Sequence, residues 1–362
     1  MKMRKDRKRN PSTVALFSSL ALCVLLTLLD ILARRNAALT EKIWSEGVYH
    51  LFSQFLSFVS GLCPVSLSEI LLFALPPLLG LSLYLILSHR KKIKQIVSLW
   101  LTFVFLGFAL YQGWAVNYSR QSYGEIAGLD IKPVEIDKLI ELNEKLAWQA
   151  NLYKEKMGQS DSAFVPDVPR RNVMKKVNAA YRTAGEKFPW LRGLYGRPKL
   201  AMTSVPLAYL GIAGIFSPVT VEAHVNNCES DVLLAATAAH EAAHLRGFAR
   251  EDEANYIAYA VCTASEDIYF RYSGTVLGIL YAGNALYAAD TDAYWEVYDT
   301  YCEGLILDLR AYDAAWKPYE GKPQEVHDQI NDKYLKANGQ TDGVRSYGRM
   351  VDLMIAEMEK DK

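Results

Sequence analysis

These 362 residues contain no CxxC pair, no glycine-rich phosphate loop, no G-x-S-x-G nucleophile elbow and no internal repeat. Cysteine is sparse: Cys23 and Cys63 lie in apolar sequence, and Cys228, Cys262 and Cys302 form an odd set, so at most one disulfide can form among those three. Net charge is missing too. Forty Lys and Arg balance forty Asp and Glu, which removes any global attraction to nucleic acid. Phosphate-loop, serine-nucleophile and nucleic-acid chemistry therefore have no support, while the length allows more than one domain.

What is present is unevenly spread. The first nine residues hold six Lys or Arg against one Asp, and an apolar run over 14–33 follows at once. Its twenty residues suffice to cross a bilayer at 1.5 Å per residue. It ends in Arg34 and Arg35 with no small-x-small cleavage site, which favours an anchor over a cleaved signal. Residues 70–87 and 96–116 predict two further spans, the second ending in the interfacial aromatics Tyr111 and Trp114. Between the first two spans, Val48, Leu51, Phe52, Phe55, Leu56 and Val59 predict a helix over about 48–62, in the membrane interface or packed on the bundle. The N-terminus carries six basic residues, the link 88–95 four and the link 34–69 three. This asymmetry predicts a cytoplasmic N-terminus and an extracytoplasmic chain after about Asn117, in a multi-pass membrane protein with the lipid bilayer as a partner.

Residues 117–133 read as a linker. A helical stripe over 134–157, a loop over 158–170 and a second amphipathic helix over 172–188 follow. Lys199 to Asn226 is the one convincing strand region, with Val219, Val221, Ala223 and Val225 alternating. Helices are expected over 256–270 and 272–289, the latter too short and too interrupted for a span. A helical pattern rich in Tyr and Trp over 293–316, a charged solvated helix over 317–336 and a C-terminal helix complete the chain.

Chemistry concentrates in AHEAAHLRGFAREDEANY, residues 239–256. His240 and His244 are four apart, so a helix places both imidazoles on one face, close enough to grip one cation. Glu241 follows the first of them, where a carboxylate can take a proton from a water attacking a carbonyl. A catalytic zinc needs a third protein ligand. A continued helix would carry position 251 about 10 Å too far along its axis. Gly247 can break the helix in the left-handed conformation and let a second one fold back. On that helix Glu251 and Asn255 share a face, which makes Glu251 the expected third ligand, Glu253 its competitor, and Asn255 the residue that orients a histidine. Tyr347, in a Gly-flanked loop with Arg349, is the candidate oxyanion helper.

HEAAHLRGF followed by EDEANYIAY resembles the signature of a poorly characterised family of bacterial membrane proteins assigned to gluzincin-type zinc metallopeptidases. The likeness runs from the membrane segments to GVRSYGRMVDL near the C-terminus. In gluzincins the third ligand comes from a Glu-x-x-x-Asp segment, which 251–255 resembles with Asn255 in the last place. The gap between second and third ligands is shorter here than is usual in gluzincins, and Arg250 stands where a metzincin would have its third histidine. In zincins an edge strand before the motif helix holds the peptide. Phe216, Thr220 and Glu222 are the corresponding candidate substrate contacts, whereas a lone strand histidine such as His224 reads as hydrogen-bonded.

The resulting expectation is an α+β, predominantly helical protein. Three N-terminal transmembrane helices (1–116) precede a zincin-like extracytoplasmic metallopeptidase domain (134–362) with a small β-sheet. It would hydrolyse peptide bonds in a peptide or protein with Zn2+ held by His240, His244 and Glu251. A zinc-binding sensor or scaffold without turnover, and a zinc amidase acting on an envelope polymer, are the alternatives from other classes.

Overall fold

The computed structural model describes residues 11–88, 92–337 and 349–361; Tyr347, the basic residues before Pro11 and residues 89–91 lie outside the described residues. The chain is mostly helical with one three-stranded sheet. Its first part comprises α1 (Pro11–Ala33), the single turn α2 (Ala37–Thr40), a π-helical segment Glu41–Tyr49, α3 (His50–Gly61), α4 (Leu67–Ser88) and α5 (Ile93–Ala115). Among the described residues, three helices are long and apolar enough to cross a membrane: α1, α4, and α5 with its extension to Ser119.

Small residues make the α1–α5 seam. The Cys23 thiol donates to the Phe105 carbonyl at 2.9 Å and Ser98 Oγ donates to the Ser12 carbonyl at 2.8 Å. Ala109 is buried, while large side chains such as Phe17 and Leu25 face outward. In a bilayer, where lipid is as apolar as leucine, close backbone approach and such hydrogen bonds hold helices together. On α3 the buried residues are Ser53, Ser57 and Ser60, and the exposed face carries Leu51, Phe55 and Phe58. The helix turns its polar side to the protein.

A 3-10 turn (Val116–Ser119), α6 (Tyr123–Ala127), α7 (Ile136–Lys156) and α8 (Arg170–Lys187) come next. The stretch expected to be a linker begins inside the core. Asn117 and Tyr123 are fully buried, and the buried Arg120 pairs with Glu41 and lies 3.9 Å over the Phe248 ring. Polarity misled the sequence reading here, because the guanidinium is matched by a carboxylate that lies 79 residues earlier.

The sheet has the order β1 (Lys199–Leu200), β3 (Glu222–Val225), β2 (Gly214–Ser217), with β1 parallel and β2 antiparallel to β3. Before β2, Ser204–Tyr209 forms α9, a helix where strand was expected. The expected alternation starts too early as well: Val219 and Val221 lie in the hairpin turn, and Val221 has φ +50°.

The remaining elements are α10 (Leu234–Leu245), α11 (Glu251–Ala264), α12 (Ile268–Ala289), α13 (Thr291–Tyr298), α14 (Glu303–Trp316), α15 (Lys322–Ala337) and α16 (Arg349–Lys360). The helix expected to run to Phe270 stops at Ala264, because the Asp267 side chain accepts from the Tyr269 amide and caps a new start. α12 packs along α7 as a core helix, and α8, α11, α12 and β3 surround α10.

Candidate metal centre

α10 is built for close packing. Ala235, Ala236, Ala238, Ala239, Ala242 and Ala243 are all at most 1% exposed, and alanine combines the highest helix propensity with the least bulk. The helix ends at Gly247, φ +80°, in a Schellman arrangement: Gly247 N–H donates to the His244 carbonyl and Phe248 N–H to the Ala243 carbonyl. That turn has a chemical consequence. It carries the Phe248 carbonyl to 2.7 Å from His244 Nδ1, so Nδ1–H donates there and the Nε2 lone pair faces the other way.

The chain then reverses into α11, whose first turn contains Glu251, Asp252 and Glu253. The Glu251 carboxylate approaches His240 Nε2 at 3.2 Å and His244 Nε2 at 3.7 Å, and the two Nε2 atoms are 3.2 Å apart. His240, His244 and Glu251 are thereby the one group among the described residues that could hold a metal ion. Ligands about 2.0–2.1 Å from a tetrahedral cation stand about 3.3 Å apart, so the three donors fit such an ion. Glu253 points elsewhere, accepting from Tyr123 N–H at 2.8 Å and from Arg250 at 2.7 Å. Asn255, one turn beyond Glu251, is a hydrogen-bonding neighbour of His240, and its own Nδ2 has no partner.

Burial shapes the charges. It drives the His244 ring down to about 4, so this imidazole is neutral. Burial also works against protonation of His240, yet the hydrogen bond and charge of Glu251 prevail and hold it up at about 9. Burial resists ionisation of Glu251 as well, but the two rings keep its pKa below the ordinary carboxylate value. Glu241 is pushed up to about 8 by burial. Its Oε2 is buried with no partner, and a Cβ on Gly214 would stand 2.5 Å from its Oε1. Glycine at 214 is thus what lets the edge strand β2 pass beside this carboxyl.

These groups border a cleft of about 840 Å³. β2 forms one wall. The C-terminal end of α5 forms another, with the Trp114 ring centroid 6.3 Å from that of His244 and 5.4 Å from that of Phe216. α15 borders the cleft with His327, Asp328, Asn331 and Tyr334, and the Tyr118 hydroxyl donates to that of Tyr334 at 3.3 Å. Of the expected substrate contacts, Phe216 lines the cleft, whereas Thr220 and Glu222 do not. Thr220 Oγ1 donates to Ser217 Oγ within the hairpin turn. Glu222 is buried, pairs with Lys199, and accepts from the Leu67 and Ser68 amides at the start of α4. Its charge needed partners, and alternation could not show that they sit at the start of a helix 155 residues earlier. His224 hydrogen-bonds the Ile215 carbonyl at 3.2 Å and lies outside the cluster.

Trp114, Tyr118 and the polar face of α15 were not recognised in sequence as part of the site. In α15 the cleft-facing His327 and Asn331 are polar and the exposed face mixes Val326 and Ile330 with Glu325, Gln329 and Lys333, so polarity along the helix does not mark the side that meets the cleft.

Among the described residues, the fold and site comprise three candidate membrane-spanning helices and a His-His-Glu group, its histidines on an HExxH helix and its glutamate on the next, that could hold a metal ion. It belongs to the DUF3810 family, described as a protein of unknown function, whose family model matches residues 44–355. No curated protein and no solved structure matches it.

Proposed function

We propose that this chain is a membrane-anchored zinc metallopeptidase that hydrolyses peptide bonds outside the cytoplasm. The observation that carries the reading is Glu241: a buried carboxyl with one unpartnered oxygen, beside three converging donors and open to a cleft. A structural metal site has no use for such a group. His240 Nε2, His244 Nε2 and the Glu251 carboxylate would hold the ion, and a His-His-Glu donor set is one that suits catalytic zinc. When bound, the ion supplies Lewis acidity that polarises a carbonyl and acidifies a water. The Phe248 carbonyl fixes the His244 tautomer, and Asn255 steadies His240. The charge of a bound cation beside it would offset the effect of burial and keep Glu241 ionised, so that it could take the proton of the attacking water and deliver it to the leaving amine. β2, an edge strand, holds the substrate extended by strand addition, and Trp114 with Phe216 shields one end of the cleft from water. The unequal distribution of basic residues supports an extracytoplasmic site, with residues 1–116 as anchor and 134–362 as the catalytic part.

The test uses the full-length chain in detergent, with metal content and hydrolysis of an unfolded polypeptide measured together. Near one zinc per chain is expected. Glu241→Gln keeps the metal and loses hydrolysis by a factor on the order of 10²–10⁴, and His244→Ala loses both. Hydrolysis retained in Glu241→Gln overturns the mechanism, and failure of the wild type to take up zinc overturns the assignment.

A further inference from the structure

The position of the cleft relative to the spanning helices bears on what can reach it. Phe108 is the last strongly exposed large apolar residue on α5, and Trp114 stands six residues later, about 9 Å along the axis. Trp114 is itself in ring contact with His244. The metal-binding group therefore lies no more than about 15 Å beyond the last strongly exposed apolar turn of α5, a distance that an extended chain covers in about five residues.

The opposite wall is tied to the membrane helices just as closely. Glu222 on β3, the neighbour of β2, accepts from the Leu67 and Ser68 amides at the first turn of α4. In return, Glu69 of α4 accepts from the Met202 amide at 3.0 Å and the Thr203 amide at 2.6 Å, which seats α9 on the end of the spanning helix. Around that junction apolar side chains are left uncovered: Met202 at 50%, Val205 at 51% and, on β2 itself, Ile215 at 43% exposed. At the mouth, α15 runs from Gln324 beside Gly211 to Tyr334 beside Tyr118. It turns His327, Asn331 and Tyr334 to the cleft, and its outer face sets Val326 and Ile330 among the exposed Glu325, Gln329 and Lys333, a mixture of apolar and charged side chains that suits a membrane surface.

We infer that the substrate is the juxtamembrane stretch of a membrane-anchored polypeptide, cut within about ten residues of the point where it leaves the bilayer. This rests on the peptidase reading and adds to it the class of substrate. The span of the substrate stays in lipid. Its emerging segment lies along β2, whose border is apolar where it meets the membrane surface, and the scissile bond comes to the HExxH helix without leaving that surface.

The experiment reconstitutes the full-length zinc-loaded chain in phosphatidylcholine vesicles with a single-span reporter bearing an unstructured extramembrane segment of mixed sequence. The identical segment without its span is assayed in parallel, and cut positions are mapped by mass spectrometry. Cuts confined to the ten or so residues next to the span, with the free segment cut at least about tenfold more slowly, are expected. Equal rates, or cuts spread evenly along the segment, overturn the inference and leave the peptidase reading intact. Cutting of neither reporter above the Glu241→Gln background overturns both. A readout independent of turnover is a nitroxide on Met202→Cys or Val326→Cys. Collisions with dissolved oxygen should exceed those with a water-soluble nickel chelate, and the reverse at both positions overturns the placement.

Discussion

α4 and α10 are both apolar on nearly every face, and the structure uses them in opposite ways. Of the 22 residues of α4 only Glu69 is buried, whereas ten of the twelve residues of α10 are. The difference lies in side-chain size and in where polarity is placed. Leucine and phenylalanine give α4 a broad surface that lipid can cover, with its one carboxylate in the first turn, where backbone donors from Met202 and Thr203 meet it. Alanine gives α10 little surface to bury but lets four neighbouring elements come close. In that tight setting two histidines and a glutamate in the C-terminal half of the helix acquire shifted proton affinities. Apolar composition alone therefore does not say whether a helix faces lipid or protein; bulk and the position of the polar groups do.

The junction between the two regions should give the largest effect on stability. Lys199→Met leaves the buried Glu222 without its cation and releases the Ser60 and Val65 carbonyls that Lys199 bridges. A loss of about 3–5 kcal/mol is expected, read as a large fall in Tm of the full-length chain in detergent. A change near zero would mean that α4 is held by lipid contacts alone.

Gly214→Ala tests how tightly the site depends on its surroundings. The new Cβ would displace the Glu241 carboxyl, and turnover should fall about 100-fold with zinc content unchanged. Unaltered turnover would show that Glu241 has room to move. Next in size is the direct contrast of the two helices. Ala239→Leu in α10, a fully buried position, should destabilise by about 1–3 kcal/mol through overpacking. Leu81→Ala in α4, where Leu81 is 54% exposed, should stay within about 0.5 kcal/mol in lipid. Equal effects would break the comparison.

A smaller effect concerns pH. Burial raises the Glu229 carboxyl from its ordinary 4.5 to about 7, so between those values the folded chain holds a proton that the unfolded chain has released. Stability contributed by this group is complete below pH 4.5 and is lost as pH rises through 7, with a slope of at most about 1.4 kcal/mol per pH unit. Glu229→Gln should flatten the Tm profile across that window. An unchanged profile would assign the dependence to other groups.

Much of this architecture could be read in advance because it rests on local rules. Apolar runs of about twenty residues mark the helices long enough to cross a membrane, i,i+4 spacing pairs His240 with His244, and a glycine after Arg246 ends α10 where the chain must turn. The stretch after Ala115 could not be read this way, since Arg120 and Tyr123 look like linker residues until Glu41 and Glu253 are placed beside them. Glu222 was misread for the same reason: its partners are 23 and 155 residues away. α15 looked like a solvated helix because its polarity is clear in sequence and the cleft it covers is not.

By itself, then, the sequence determined the elements whose cause is local: helix length against bilayer thickness, the face shared by residues four apart, the backbone freedom of Gly247. Tertiary structure alone decided which carboxylate of α11 meets the histidines, because Glu251 and Glu253 differ in what their sides of the helix touch. One faces His240 and His244, and the other is taken by Arg250 and the Tyr123 amide. It also decided that Trp114, on a helix long enough to span a bilayer, stands against His244. That contact joins residues 130 positions apart, and no periodicity along the chain encodes it.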